Sequence, residues 1–441
     1  MGVSGPDTYV VVGAGLAGGL MTTLLAQAGQ SVLAIERRED PRKAGAPGGR
    51  SINLALSARG LHALDQIGLT ESILAQSVPL FGRMIHPVTG RLAFQPYGAR
   101  GRSIHSLSRA GLNQALIDAA EAAGGAIRFG HRCAALDLAT GEVVARVSGE
   151  GEEREERFAG TIIGTDGAYS VLRGELARRE RQDFSQSYLS HGYRELVIPP
   201  AEGGVPRLDP NALHIWPRGG FMMMAMANVD GSFTVTLYLP HEGPHGFSGL
   251  VDPQKVRRFF EAQFPDAIEL LPGLEEAWFQ HPTGSLVTVR TRPWSWEDKV
   301  VLAGDACHAI VPFFGQGANA AFEDCVSLWA ALGRYPGDRA TAFRSYETER
   351  RPQADAIADL ALANFHEMRD HVASPLFRLE KRGEVLLHRL FPRWFIPLYT
   401  MISFTRIPYA EARARAIRQK RVLKVLFAIV VAVIFGLVAW R

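Results

Sequence analysis

The segment Tyr9-Val10-Val11-Val12-Gly13-Ala14-Gly15-Leu16-Ala17-Gly18 constrains this chain more than any other stretch. It reads as a short apolar strand, a Gly-x-Gly-x-x-Gly turn and the start of a helix. Gly13 permits the tight turn, Gly15 lets backbone approach a pyrophosphate, and Gly18 lets the helix pack against the strand. The phosphates would meet free N–H groups at the helix N-terminus, beside Leu16 and Ala17. A second strand, Ser31 to Ile35, ends in Glu36, followed by Arg37. An acid at this place accepts hydrogen bonds from ribose hydroxyls and repels a 2′-phosphate. The expected first nucleotide is therefore the adenosine of FAD or NAD.

A chain of 441 residues is long enough for two or three domains around a large core. Its three cysteines, Cys133, Cys307 and Cys325, include no Cys-x-x-Cys pair, so neither a zinc site nor a disulfide framework is expected. The formal charge is +3, yet residues 412–441 hold seven Arg and Lys and no acid, which leaves −4 for residues 1–411. The basic balance thus belongs to the tail and does not point to nucleic acid. Val422 to Trp440 is apolar apart from Lys424 and would span roughly 28 Å as a helix. With Arg413, Arg415, Arg418, Lys420 and Arg421 before it, this tail reads as a membrane anchor contacting lipid, with its basic flank and the rest of the protein on the cytoplasmic side.

The order of elements suggests an α/β chain whose Rossmann-like domain is interrupted. Residues 1–184 form its first part, with 71–110 contributing to a second site. Residues 185–290 carry strands separated by Pro217-Arg218-Gly219-Gly220 and Asn228-Val229-Asp230-Gly231, the pattern of an antiparallel sheet. Residues 291–345 return to the first domain through Val300 to Ala303. Residues 346–420 read as helices broken near Pro352, Pro392 and Pro397, and 422–440 as the anchor.

Two further motifs turn a nucleotide fold into a flavin site. Asp166, in Gly164-Thr165-Asp166-Gly167, follows an apolar strand, and Asp305 ends the later strand of Lys299 to Gly304. A carboxylate at the latter position can accept from ribityl hydroxyls. Next, Pro312-Phe313-Phe314-Gly315-Gln316-Gly317-Ala318-Asn319 runs into a helix whose dipole would stabilise negative charge on reduced flavin. This set resembles the single-component flavoprotein aromatic hydroxylases, in which NADPH has no nucleotide domain of its own.

A closer resemblance rests on Arg50 to Ser57, Gly82 to His86, Pro96-Tyr97-Gly98, His191 to Leu196, His214 to Arg218, Val311 to Asn319, Asn364 to Arg369 and Pro397 to Met401. These stretches are similar to the kynurenine 3-monooxygenase family from the first strand to the tail. The resemblance implies that FAD is reduced by NADPH and adds O2 to give a C4a-hydroperoxide. That species would hydroxylate L-kynurenine to 3-hydroxykynurenine, in tryptophan degradation. It further implies that Arg83, Tyr97 and Tyr399 hold the substrate carboxylate and that Asn364 contacts the head group. Tyr238, Phe313, Met222, Met224 and Met368 would form the ring pocket, and Ala55, Arg109, Asp305, Ala318 and Asn319 would serve FAD. Phe365 stands where a Tyr is familiar. No metal and no catalytic side-chain nucleophile is expected, and His308 is expected to be structural. Two other functions remain open from sequence: a flavoprotein acting on a membrane lipid or quinone, and a tethered nucleotide-binding module without catalysis.

Overall fold

The computed structural model describes residues 8–43, 53–88, 91–98, 101–148, 153–179, 181–371 and 375–439, with side chains from 426 onward outside the description. The strand Tyr9–Val12 lies at the centre of a six-stranded sheet. It pairs in parallel with Val32–Glu36 on one side and Thr161–Gly164 on the other. Val300–Leu302 extends the sheet in parallel from Thr161–Gly164, so the late Gly-Asp segment does return to the first domain. Val10, Val11, Ile162, Val300 and Val301 are fully buried, which explains their unbroken apolar runs: their core is shared with helices such as Leu16–Gln27 and with the three-stranded antiparallel sheet of His131–Asp137, Glu142–Ser148 and Glu153–Ala159.

A second sheet has seven strands, in the order Gly284–Arg292, Asp183–Ile198, Phe233–Pro240, Met222–Ala227, Ala212–Pro217, Gly82–Ile85 and Ala93–Pro96. It is antiparallel except where Gly82–Ile85 pairs in parallel with Ala212–Pro217. That join lends two strands of the early chain to the later sheet and carries Arg83 into it. Strand alternation then divides the Met run. Met223 faces the core shared with Phe260 and Trp278, while Met222, Met224 and Met226 face the other side.

The C-terminal half is helical, but Pro352 does not break it. Arg339–His366 is one helix with Pro352 inside. An interior Pro costs about 3 kcal/mol. Burying Phe343, Ile357 and Phe365 returns roughly 1.5–3 kcal/mol each, so packing prevails. The helix Tyr409–Ala439 begins inside the protein, with Tyr409 and Ala412 fully buried and Arg413 paired to Asp359 at 2.9 Å. Among the described residues no helix is long and apolar enough to cross a membrane. Most of the expected anchor, 422–440, lies outside the described side chains.

A buried ionic cluster joins these layers. Asp324 accepts from Arg350 Nε at 2.8 Å and from the Gly304 N–H at 3.1 Å, and it pairs with His308. Cys307 lies beside them. Because Arg350 occupies one carboxylate oxygen, the cluster reads as an ion-pair knot between three segments, which gives His308 the structural role expected. Burial opposes both charges, but the partners prevail: His308 is raised above its ordinary 6.5 and Asp324 held below its ordinary 3.8. A group with a raised value stabilises the fold below its ordinary pKa and loses that contribution as pH rises through the folded value. A group with a depressed value does the reverse. Both contributions are therefore complete between about pH 4 and 6.5. We expect Asp324→Asn to cost about 3–5 kcal/mol in urea unfolding within that window, with the deficit shrinking on either side.

Candidate active site

The three glycines of the first turn do separate things. Gly13 has φ +96°, and a Cβ there would lie 2.7 Å from the Thr165 carbonyl oxygen. A Cβ on Gly18 would meet the Gly13 carbonyl oxygen at 1.7 Å, so helix and strand close only without it. A Cβ on Gly15 would meet nothing nearer than Arg38 Nη2 at 4.0 Å. Gly15 instead opens, with Leu16 and Ala17, onto a cavity of about 270 Å³.

That cavity runs between the two sheets. Its nucleotide-fold wall includes Ala55, Arg109, Asp305, Gly317 and Ala318, and its other wall includes Arg83, Met224, Tyr238, Phe313, Met368 and Tyr399. Most residues expected to hold a cofactor and most expected to hold a substrate thus share one space. Arg109 is the first residue of the helix Arg109–Ala122, which Ser108 caps by accepting from the Gly111 N–H. Asp305 opens to the cavity; burial raises its carboxyl, against the pull of Arg109 and His308. The helix Gly317–Arg334 aims its N-terminus at the same place.

Other expected residues lie behind this wall. Glu36 accepts from the Ala14 N–H at 2.9 Å and from Arg38 Nε at 2.8 Å. Burial raises its carboxyl, but the Arg38 pair and the backbone donors hold it below the usual carboxylate range. Arg37 is exposed. Asp166 caps the helix Val171–Arg179 through the Val171 N–H at 2.7 Å, and its other oxygen is buried without a hydrogen bond among the described residues. Asn319 is fully buried: its oxygen accepts from the Ser57 and Gly60 N–H groups, and its nitrogen donates to the carbonyls of Ala55 and Gly315. Its side chain fixes two cavity-lining turns and does not itself line the cavity. Met222 faces the correct side of its strand but is covered, paired in register with Tyr238.

At the far end, Arg83 is buried, with its Nε lacking any hydrogen bond among the described residues. No carboxylate pairs with it there. Its guanidinium carbon lies 4.9 Å from the Tyr399 ring centroid and 6.0 Å from that of Tyr97. The two rings stack at 4.8 Å. Tyr97's hydroxyl is also buried, with no hydrogen bond among the described residues; burial and Tyr399 push the phenol well above its ordinary value, so it remains an O–H donor. Asn364 donates to the Phe313 carbonyl at 2.6 Å and lies 3.2 Å from Met368 Sδ. Phe313 stacks on Phe365 at 4.3 Å and tilts against Tyr238 at 4.9 Å. Tyr97 and Asn364 line a neighbouring cavity that also reaches Arg83 and Tyr399.

Sequence reading missed Met226, Thr234, Thr236 and Phe314, which line the first cavity. The signal was present for three of them, since Met226 shares a strand face with Met224, as Thr234 and Thr236 do with Tyr238.

A glycine cradle open to ligand, an acid and an arginine beside it and a helix N-terminus opposite fit FAD, and residues 7–361 match the FAD binding domain family. The chain is a member of that flavoprotein family. Two curated relatives, both called kynurenine 3-monooxygenase, narrow the assignment. That of Salinispora tropica is 48% identical over 421 residues, covering 95% of this chain and 92% of the relative. That of Dictyostelium discoideum is 43% identical over 427 residues, covering 94% and 91%. The chain belongs to the kynurenine 3-monooxygenase family. Among solved structures, a tetrameric 2-methyl-3-hydroxypyridine-5-carboxylic acid oxygenase has the same fold, with TM-score 0.66 at 23% identity over 87% of this chain and 98% of that one.

The glycine geometry makes a discriminating prediction. Gly15→Val should leave the unfolding midpoint nearly unchanged while the flavin content of the purified protein falls severely. Gly18→Ala should instead destabilise the fold, by about 1–3 kcal/mol or more. Equal thermal losses in both variants would contradict these roles.

Proposed function

We infer that this protein is an FAD-dependent monooxygenase that hydroxylates L-kynurenine to 3-hydroxykynurenine with NADPH and O2, in the kynurenine pathway. The observation that carries this reading is Arg83: a buried guanidinium beside two tyrosines, with no carboxylate paired to it and its Nε without a hydrogen bond among the described residues, at the end of a cavity that begins at the glycine cradle. A buried cation without an anion is costly. A ligand carboxylate would compensate it, and the planar fork of donors suits a bidentate pair. A quinone or lipid lacking an acid group would leave it uncompensated, which disfavours the membrane-substrate alternative.

In this reading Arg83 binds the α-carboxylate, and Tyr97 and Tyr399 donate to it. Asn364 directs its amide nitrogen to Phe313, leaving its oxygen for the head group. Tyr238, Phe313, Met224 and Met368 enclose the aromatic ring in an apolar, water-poor space. Bound FAD supplies electron transfer from NADPH and oxygen activation. Gly15, Leu16 and Ala17 would hold its pyrophosphate, and Asp305 and Arg109 would hold its hydroxyl-bearing portions. The helix N-terminus at Gly317 and Ala318 would stabilise negative charge on the reduced flavin. No protein nucleophile is required: the side chains bind, orient and exclude water.

The tail supports a membrane-associated protein with its catalytic part on the cytoplasmic side. The apolar run in 422–440 follows a basic flank, and both lie on the continuous helix Tyr409–Ala439. Because Tyr409 and Ala412 belong to the core, an informative truncation starts later.

Arg83→Ala should raise KM for L-kynurenine by about ten- to 150-fold, from the loss of about 1.5–3 kcal/mol, while FAD content stays normal. An unchanged KM would contradict the carboxylate role. Deleting residues 426–441 should move the protein from the membrane fraction to the soluble fraction. Full-length protein that is already soluble without detergent would contradict the anchor.

A further inference from the structure

Behind the inner site lies a larger cavity of about 830 Å³. Arg83, Phe314 and Tyr399 line both, so the two are contiguous, with the Tyr97–Tyr399 stack at their junction. The outer cavity carries more charged side chains on its wall than the inner one. Its lining includes Arg102, Glu367, His388 and the Lys381–Glu384 pair, whose charges meet at 3.2 Å.

Arg102 is the unexplained member. It lines only the outer cavity, and its Nη1 is buried without a hydrogen bond among the described residues. No carboxylate pairs with it there. Its guanidinium lies 6.0 Å from the Phe404 ring centroid, and that ring lies 6.1 Å from both Tyr97 and Tyr399. Two arginines therefore flank the tyrosine pair, Arg83 at the junction and Arg102 further out, each with one buried nitrogen that has no hydrogen bond among the described residues. Gly98, at φ +147°, lets the chain after Tyr97 turn so that Arg102 lies across it.

We propose that the outer cavity is an entry vestibule for the amino-acid zwitterion and that Arg102 is its carboxylate station, met before Arg83. The proposal rests on the reading of the inner site as an amino-acid hydroxylase. Cations outnumber anions on this wall, Arg83, Arg102, Lys381 and Arg389 against Glu367 and Glu384, and such an excess in a walled cleft focuses the field and raises the rate of encounter more than the final affinity. A carboxylate passing from Arg102 to Arg83 would exchange one cation for another instead of losing all its water at once. Glu367 lines the same cavity and its charge acts on Arg83, so it would supply the opposite charge for the ammonium.

The test is stopped-flow binding of L-kynurenine to the oxidised holoenzyme at low ionic strength, followed by the change in flavin absorbance. Arg102→Gln should lower the association rate constant about three- to tenfold, flatten its salt dependence and alter dissociation less. Arg102→Lys, which keeps the charge, should restore most of the rate and controls for a misfolded variant. Arg83→Gln should act chiefly by speeding dissociation. Association of Arg102→Gln within twofold of wild type with the same salt dependence would overturn the vestibule, as would a loss that Arg102→Lys does not rescue. If wild-type flavin fails to respond to L-kynurenine, the hydroxylase reading fails first and the vestibule with it.

Discussion

Arg83 is the constraint around which the rest of the site is arranged. It is carried on Gly82–Ile85, the strand that crosses from the early chain into the later sheet. The parallel pairing with Ala212–Pro217 fixes its height in that sheet, and the strand Ala93–Pro96 delivers Tyr97 beside it. The helix Leu398–Phe404 brings Tyr399 from the opposite end of the sequence. A buried guanidinium that no carboxylate pairs with among the described residues needs other support, and here the aromatic rings of Tyr97 and Tyr399 supply it through their π faces while the Glu367 charge acts on it from further off. Three distant segments thus converge on one cation, which is why the helical C-terminal region belongs to the site and is not an appendage.

Asn319 plays the corresponding part on the nucleotide side. Its side chain bonds to the turn at Ser57 and Gly60, and to the carbonyls of Ala55 and Gly315. The buried pairing of His308, Asp324 and Arg350 anchors the same helix, Gly317–Arg334, from its other face. Its N-terminus is therefore set before any ligand arrives. This is preorganisation in the physical sense: the dipole is fixed where negative charge is to be stabilised.

Much of this was legible in the sequence. Gly13, Gly15 and Gly18 declared a strand–turn–helix: the protein's own backbone requires glycine at Gly13 and Gly18, and Gly15 leaves space for a ligand. The alternation of the Met run foretold two faces. Pro352 misled because propensity describes an isolated helix, whereas this one is held by packing along its length. Glu36 and Asn319 could be placed near the nucleotide fold but not assigned partners, since Arg38 and Ser57 reach them only through tertiary geometry. The joining of the two sheets by Gly82–Ile85 was hidden for the same reason: a four-residue strand carries no signal of what it will pair with.

The central claim is that a carboxylate-bearing aromatic amino acid completes this site and thereby licenses flavin reduction. Anaerobic mixing of the purified holoenzyme with NADPH, with and without L-kynurenine, tests it most directly through the bleaching of flavin absorbance. The account predicts a large acceleration by L-kynurenine, followed by 3-hydroxykynurenine when air is admitted. Reduction at the same rate with and without L-kynurenine, and no hydroxylated product, would contradict it.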